Sequence, residues 1–272
     1  MFMRLIGAIV SALLAYSTVT NGQVKPIEIS YVDYKGSGVV VSAQNNSFCP
    51  YTVVINFDLL NMEPSAKLPV RKVVVPAKKK TVLVRLTPIP GQRYNYKYEY
   101  HYYVGNVDDT KPNTDFAYSL PFEEGKEYTV MQGNNGLFSH VNKQALDFSM
   151  PENSVVCAAR AGVVVEVKQD SNSGCPDASC KDLGNYIVIY HEDGSFATYY
   201  HFRQNGSKVQ PGQQVAQGEP IGFSGNTGWS SAPHLHFEVD VPGEADKTSI
   251  PVKFAVAGQT LSDLQKGTSY KR

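Results

Sequence analysis

Near its C-terminus the chain reads Ser231-Ala232-Pro233-His234-Leu235-His236-Phe237-Glu238-Val239, so two of its six histidines stand one residue apart in an apolar, β-prone run. In a strand, side chains at i and i+2 share a face. His234 and His236 therefore point together, while Leu235 and Phe237 point toward a core. Paired imidazoles on a rigid strand suit a zinc site. For a bare His-x-His, two chance surface histidines are the better reading; upstream partners weaken it here. In Ala145-Leu146-Asp147-Phe148-Ser149-Met150, alternation puts Leu146, Phe148 and Met150 on one face and Asp147 on the other. An acid inside such a strand is costly unless paired or metal-bound. His140 precedes it by seven residues, and His201 ends another β-like run, Tyr199-Tyr200-His201-Phe202. A hydrolytic zinc site needs three protein ligands and one open position for water.

Further segments follow in a fixed order. Pro151-Glu152-Asn153-Ser154-Val155-Val156-Cys157-Ala158 leads to Gly162-Val163-Val164, and then come Gly184-Asn185-Tyr186-Ile187-Val188-Ile189 and Tyr200-His201-Phe202. Val209, Gly212, Val215, Gly218 and Ile221-Gly222 precede Ser224-Gly225-Asn226-Thr227-Gly228, and the His-Leu-His-Phe-Glu run closes the series. Together, over about the last half of the chain, these segments resemble the M23 family of zinc metallopeptidases, the lysostaphin-type or LytM-like endopeptidases that cut peptidoglycan cross-bridges. The resemblance implies an antiparallel β-sheet catalytic domain over residues 119–272 and one Zn2+ per chain held by His140, Asp147 and His236. It implies that His201 and His234 are the unliganded, catalytic histidines. It also implies peptide cross-links of peptidoglycan as the substrate. Alternation alone does not choose His236 over His234 as ligand; the resemblance does. The chain departs from the pattern at one place. Many members carry the first histidine four residues before the aspartate, where this chain has Lys143. The odd spacing of His140 from Asp147 would send them to opposite faces of a straight strand, so Val141-Asn142-Lys143-Gln144 must loop or bulge to bring His140 back.

Other functions are weighed on the same residues. A catalytically inactive relative that binds the wall or regulates another hydrolase would have lost ligands, whereas this chain keeps Asp147, His201, His234 and His236. A lipoyl or biotinyl carrier needs a modifiable Lys in a tight hairpin, and none lies between Val209 and Gly222. Gly222-Phe223-Ser224-Gly225-Asn226-Thr227-Gly228 lacks the Lys-Ser/Thr ending of a phosphate loop. His191, in Tyr190-His191-Glu192-Asp193-Gly194, sits at a hairpin-like turn and reads as a capping or packing residue.

The positioning elements are β throughout, which makes the expected fold class all-β. Residues 23–118 hold short alternating runs separated by turns: Ile27–Tyr31, Gly38–Ser42, Thr52–Phe57, Arg71–Val75, Thr81–Leu86 and Tyr94–Tyr102. They predict an immunoglobulin-like β-sandwich. Tyr94, Tyr96, Tyr98, Tyr100 and Tyr102 line one face of the last run and are expected in the core rather than on a sugar-stacking platform; His101 falls on the polar face. Residues 1–22 read as a signal peptide, with Arg4 ahead of an apolar core, Leu5–Ala15, shorter than the roughly 20 residues of a membrane span. The rival reading is an uncleaved anchor. Export to the periplasm or the medium follows, with no stable membrane span after cleavage. Cys175 and Cys180 flank a short loop and fit a disulfide in an exported protein. Cys157 fits a buried apolar position, and Cys49 falls in the other domain, unbridged to it. Lys+Arg and Asp+Glu both number 25, a neutral balance that argues against a nucleic-acid partner.

Overall fold

The structure, a computed structural model, describes residues 25–68 and 70–272. The signal peptide expected over residues 1–22 lies outside the described residues. No helix among the described residues is long and apolar enough to cross a membrane. The chain divides into two compact units. The first takes in the described residues up to Asn46 together with Val53–Tyr102, and the second comprises Ser47–Thr52 and Tyr103–Arg272. Residues 103–118 and Ser47–Thr52, Cys49 among them, thus pack with the second unit, where the sequence expectation had placed them in the first.

Seven strands build the first unit: β1 (Ile27–Asp33), β2 (Val39–Asn45), β3 (Tyr51–Leu60), β4 (Met62–Pro64), β5 (Val70–Val75), β6 (Lys80–Pro88) and β7 (Asn95–Val104). They form a four-stranded sheet, β1-β2-β6-β4, and a three-stranded sheet, β5-β3-β7. Alternation directs Val39, Val41 and Ala43 of β2 and Val53, Ile55 and Phe57 of β3 inward. The tyrosine stripe departs from its expected place. Tyr94, Tyr96, Tyr98, Tyr100 and Tyr102 are all half-buried, none a core residue. The physical reason is position: β7 is the edge of a three-stranded sheet, so its aromatic face is covered from one side only. Tyr96 meets Tyr31 edge-on with ring centroids 6.3 Å apart, and Tyr98 meets Phe57 at 5.9 Å. This partial burial pushes the Tyr96 hydroxyl up to about 12.

The second unit runs β8 (Ala117–Ser119), β9 (Glu127–Gln132), β10 (Ala145–Phe148), β11 (Val155–Cys157), β12 (Gly162–Lys168), β13 (Gly174–Cys175) and a 3-10 turn over Ala178–Leu183. It continues through β14 (Tyr186–Tyr190), β15 (Phe196–Tyr200), β16 (Phe202–Ser207), β17 (Gln214–Val215), β18 (Pro220–Ser224), β19 (Gly228–Trp229) and β20 (Leu235–Val241). Short strands close it: β21 (Thr248–Ser249), β22 (Lys253–Val256), β23 (Gln259–Leu261) and β24 (Ser269–Lys271). Its main sheet is antiparallel, in the order β17-β12-β14-β15-β20-β10-β9-β24, with β21 pairing β20. The fold class is therefore all-β, as the sequence patterning predicts.

The period of two divides this sheet into a core face and a working face. Leu146, Phe148, Tyr199, Leu235, Phe237 and Val239 enter one buried cluster with Phe122, Ile187 and Ile189. Each large side chain so buried contributes about 1.5–3 kcal/mol. These anchors leave Asp147, His236, Glu238 and Asp240 on the opposite face. Cys175 and Cys180 are joined as a disulfide with Cα atoms 5.8 Å apart, and Cys49 and Cys157 are both buried and free.

Candidate metal centre

Strands β10 and β20 pair so that Asp147 stands opposite His236, and β15 pairs β20 so that Tyr200 stands opposite His236 on its other side. The carboxylate and the imidazole are therefore placed by backbone ladders rather than by loops. Asp147 Oδ1 lies 2.9 Å from His236 Nδ1 and 3.2 Å from His140 Nε2, and those two ring nitrogens are 3.1 Å apart. Among the described residues this is the only group of three or more such ligands, with donor atoms within 4.8 Å of one another.

His140 reaches this point because its segment curls. The His140 N–H donates to Gly136 O at 3.1 Å, the Lys143 N–H to His140 O at 2.8 Å and the Asn135 N–H to Lys143 O at 2.8 Å. Asn135 and Asn142 adopt left-handed φ of +55° and +58°, which asparagine tolerates better than most residues. That turn undoes the odd spacing from Asp147. Lys143, at the place where many relatives carry a histidine, instead points its ammonium to Glu238 Oε2 at 3.3 Å.

Gln132, not singled out by its sequence context, pins the loop to the acid. Its Nε2 donates to Asp147 Oδ2 at 3.0 Å and to Ser139 Oγ at 2.7 Å, while its Oε1 accepts from the Phe138 N–H at 3.1 Å. Gln132 sits opposite Asp147 across the β9–β10 ladder. Its only sequence signal is a polar residue ending a β-like run. The same loop exposes Leu137, Phe138 and Val141, and Phe138 packs on Trp229 with ring centroids 5.5 Å apart.

His201 and His234 complete the cluster, with ring centroids 4.3 Å apart. His201 Nδ1 lies 2.6 Å from Thr227 O, so it carries the proton and donates, leaving Nε2 free. His234 Nδ1 donates likewise to Ala232 O at 2.8 Å, and its Nε2 lies 3.8 Å from Asp147 Oδ1. His140 Nδ1 donates to Gly133 O at 3.0 Å, which directs Nε2 to the centre. His201 holds a left-handed φ of +70°, a strained conformation for a non-glycine residue. Buried Asn185 fixes it: its carbonyl accepts from the His201 N–H at 2.9 Å, and its Nδ2 donates to Phe202 O at 3.1 Å. Gly228, at φ +81°, allows the close approach beneath Thr227, since a Cβ there would lie 2.6 Å from Gly184 Cα.

Electrostatics follow from burial and mutual contact. Burial pushes Asp147 up, but hydrogen bonds from His140 and His236 outweigh it and hold the carboxyl well below the carboxylate range. Burial, with His234 and His236 nearby, lowers His201 to about 3, and burial also lowers His234. Both are therefore neutral imidazoles at neutral pH. Burial opposes protonation of His236 as well, but Asp147 and Glu238 raise it to about 9. Glu238 Oε2 lies 3.5 Å from His236 Nε2, the ring nitrogen away from the centre. His191 is apart from all this. It is fully buried, donates from Nδ1 to Ala161 O at 2.8 Å and packs edge-on against Tyr118.

Comparison with known proteins bears on this arrangement. The sequence profile of Peptidase family M23 matches residues 141–248, a span that contains Asp147, His201, His234 and His236 and begins one residue after His140. This chain carries a peptidase family M23 domain. The peptidoglycan DD-endopeptidase ShyA of Vibrio cholerae is 36% identical over 121 residues, which is 43% of this chain and 25% of that protein. The glycyl-glycine endopeptidase ALE-1 of Staphylococcus capitis is 36% identical over 98 residues, 36% of this chain and 24% of that protein. The chain thus spans about a quarter of the length of these two relatives. The solved catalytic domain of lysostaphin from Staphylococcus simulans is 27% identical, covering 46% of this chain and 87% of that one, with a TM-score of 0.34. The matched span lies within the second unit and runs from the loop after His140 to the start of β21.

Proposed function

We propose that the protein is a zinc-dependent endopeptidase that hydrolyses peptide cross-links of bacterial peptidoglycan. The observation that carries this reading is the convergence of His140, Asp147 and His236 on one point, with His201 and His234 beside it, all but His140 within the span that matches the M23 family. The donor set fits zinc: two imidazole nitrogens and one carboxylate oxygen, with the tautomer of His140 already set to present Nε2. When bound, zinc supplies Lewis-acid polarisation of the scissile carbonyl and activation of water toward a pKa of about 7.

The chain's own groups do the rest. His201 and His234 both present Nε2, are neutral at neutral pH and have Nδ1 anchored to carbonyls. One takes the proton of the attacking water on Nε2, while the unprotonated Nε2 of the other accepts from that water and orients it; the imidazolium so formed then donates from Nε2 to the developing oxyanion, a kind of contact whose loss costs about 10²–10³ in rate. The protonated imidazole then gives its proton to the leaving amine. Asp147 stays ionised throughout because the histidines around it favour the carboxylate.

In the same reading the first unit, which ends at Tyr102, is an immunoglobulin-like sandwich, and the protein is exported to the periplasm or the medium. Digestion of purified peptidoglycan with mass spectrometry of the fragments tests the activity. Peptide cross-links opened only by zinc-loaded protein support it; intact cross-links with fully loaded protein refute it.

A further inference from the structure

The working face continues past the candidate metal centre. Along β20 the even-numbered residues His236, Glu238 and Asp240 face the same way, and the last two line a cleft of about 560 Å³ with Glu166, Tyr186, Tyr200 and Lys247. Charged side chains dominate its walls, but most are already engaged. Glu238 contacts Lys143 at 3.3 Å and His236 at 3.5 Å. Glu166 accepts from the Tyr186 hydroxyl. The Lys247 ammonium rests over the Phe196 ring, 4.9 Å from its centroid.

Among the acids that line the cleft, Asp240 is the exception. It is 6% exposed, it lines the cleft, and among the described residues its carboxylate makes no hydrogen bond or ion pair. A buried carboxylate without a partner is costly. Burial, with Glu238 nearby, pushes Asp240 up to about 6 against the opposing pull of Lys247 and Lys143, so an incoming cation in direct contact would be met by a group that gains from its arrival.

The chemistry of the cation follows from what surrounds it. A divalent metal needs several oxygen ligands, and the only grouping of three or more acid, histidine or cysteine donors among the described residues is the one at Asp147. One free carboxylate in a cleft with hydroxyl-bearing walls suits a compact cation with several hydrogen-bond donors, which describes a primary ammonium. A guanidinium would ask for a bidentate, planar partner with room for a fork. Distance adds a constraint. Asp240 stands four residue steps beyond His236 along the strand, on the order of 13 Å at the extended rise. An extended peptide with its scissile bond at the metal centre would present at Asp240 a group three or four residues away.

We propose that Asp240 is a specificity-determining residue of a substrate subsite, which seats a free primary ammonium carried by the peptide substrate about 13 Å from the scissile bond. This rests on the endopeptidase reading of the neighbouring centre. Recognition is by charge-assisted hydrogen bonding, and truncation of such a buried pair reads out mainly as loss of affinity.

The test uses the full zinc-loaded chain and soluble cross-linked peptidoglycan fragments bearing free primary amines, either untreated or N-acetylated. Binding is measured by calorimetry and cleavage by chromatography on the same samples. Wild-type protein should bind the free-amine fragments about tenfold more tightly than the acetylated ones. Asp240→Asn should bind both alike and keep its zinc content. Equal affinity of the wild type for the two forms overturns the proposal without any variant, as does absence of binding to either. Full retention of the preference by a folded Asp240→Asn protein overturns it too. Preference for the free amine that Asp240→Asn loses, without cleavage by either protein, would refute the endopeptidase reading and uphold only ammonium binding at Asp240. Equal binding and equal cleavage of both forms would uphold the endopeptidase reading and reject the subsite.

Discussion

Asp147 and His236 are register partners across β10 and β20, and their Oδ1 and Nδ1 atoms lie 2.9 Å apart. Two antiparallel strands with buried opposite faces hold this pair. A slip of one residue would turn His236 into the core and Phe237 out to water, so the hydrophobic pattern itself fixes the position of the two ligand candidates. The third, His140, has no such ladder; backbone turn bonds curl its segment, and side-chain hydrogen bonds tie that segment to the acid.

Gln132 is the main such restraint, since it bonds Asp147, Ser139 and the Phe138 N–H together. We predict that Gln132→Ala folds but binds zinc about 10–100-fold more weakly, the effect typical of lost outer hydrogen bonds at metal sites. Competition with a chelating dye measures this. Wild-type affinity in the variant would show that the loop holds His140 without Gln132.

His201→Ala and His234→Ala should retain zinc and lose hydrolysis by about 10²–10⁴. Both rings anchor Nδ1 to carbonyls and have no place in the three-donor group. Zinc content and turnover are measured on the same preparations. Loss of zinc from either variant would make that histidine a ligand.

Glu238 and Lys143 should differ in weight. Glu238 touches the outer nitrogen of His236, whereas Lys143 is 46% exposed and only touches Glu238. Glu238→Gln should weaken zinc binding about 10–100-fold. Lys143→Met should cost less than about 1 kcal/mol, as surface ion pairs do. Equal losses in the two variants would mean that the lysine, not the carboxylate, sets the orientation of His236.

How much of this was legible in the sequence depended on period. The i, i+2 alternation around Asp147 and His236 predicts both the strands and their working face, and six of the seven strands of the first unit coincide with apolar runs. Strand β4 did not declare itself, because Met62-Glu63-Pro64 is too short to alternate. The tyrosine stripe showed its period but not its depth, since alternation does not reveal that β7 is an edge strand. Gln132, Asn185 and Thr227 act through long-range hydrogen bonds to backbone and carboxylate, which leave no periodic trace. The membership of Ser47–Thr52 in the second unit is likewise a tertiary matter. Cys49 packs with Val188 and Phe196, well over a hundred residues away in the chain.

Acid should weaken the second unit partly through His191. Burial lowers this imidazole from 6.5 to about 4, so it is neutral in the fold. Between those values the unfolded chain binds a proton that the folded chain refuses, and stability therefore falls as pH falls through the window. The shift corresponds to about 3 kcal/mol. In urea unfolding at pH 6.5 and pH 4, His191→Asn should lose correspondingly less stability than the wild type. Identical losses would mean that His191 does not titrate in this range.

The central claim is that His140, Asp147 and His236 hold a catalytic zinc. It is tested most directly by measuring zinc content and cross-link cleavage together, in the wild type and in Asp147→Ala. The account predicts one zinc per chain and opened peptidoglycan cross-links for the wild type, with both lost in a folded Asp147→Ala protein. Cleavage at the wild-type rate by the metal-free protein, or full zinc content in the variant, would contradict it.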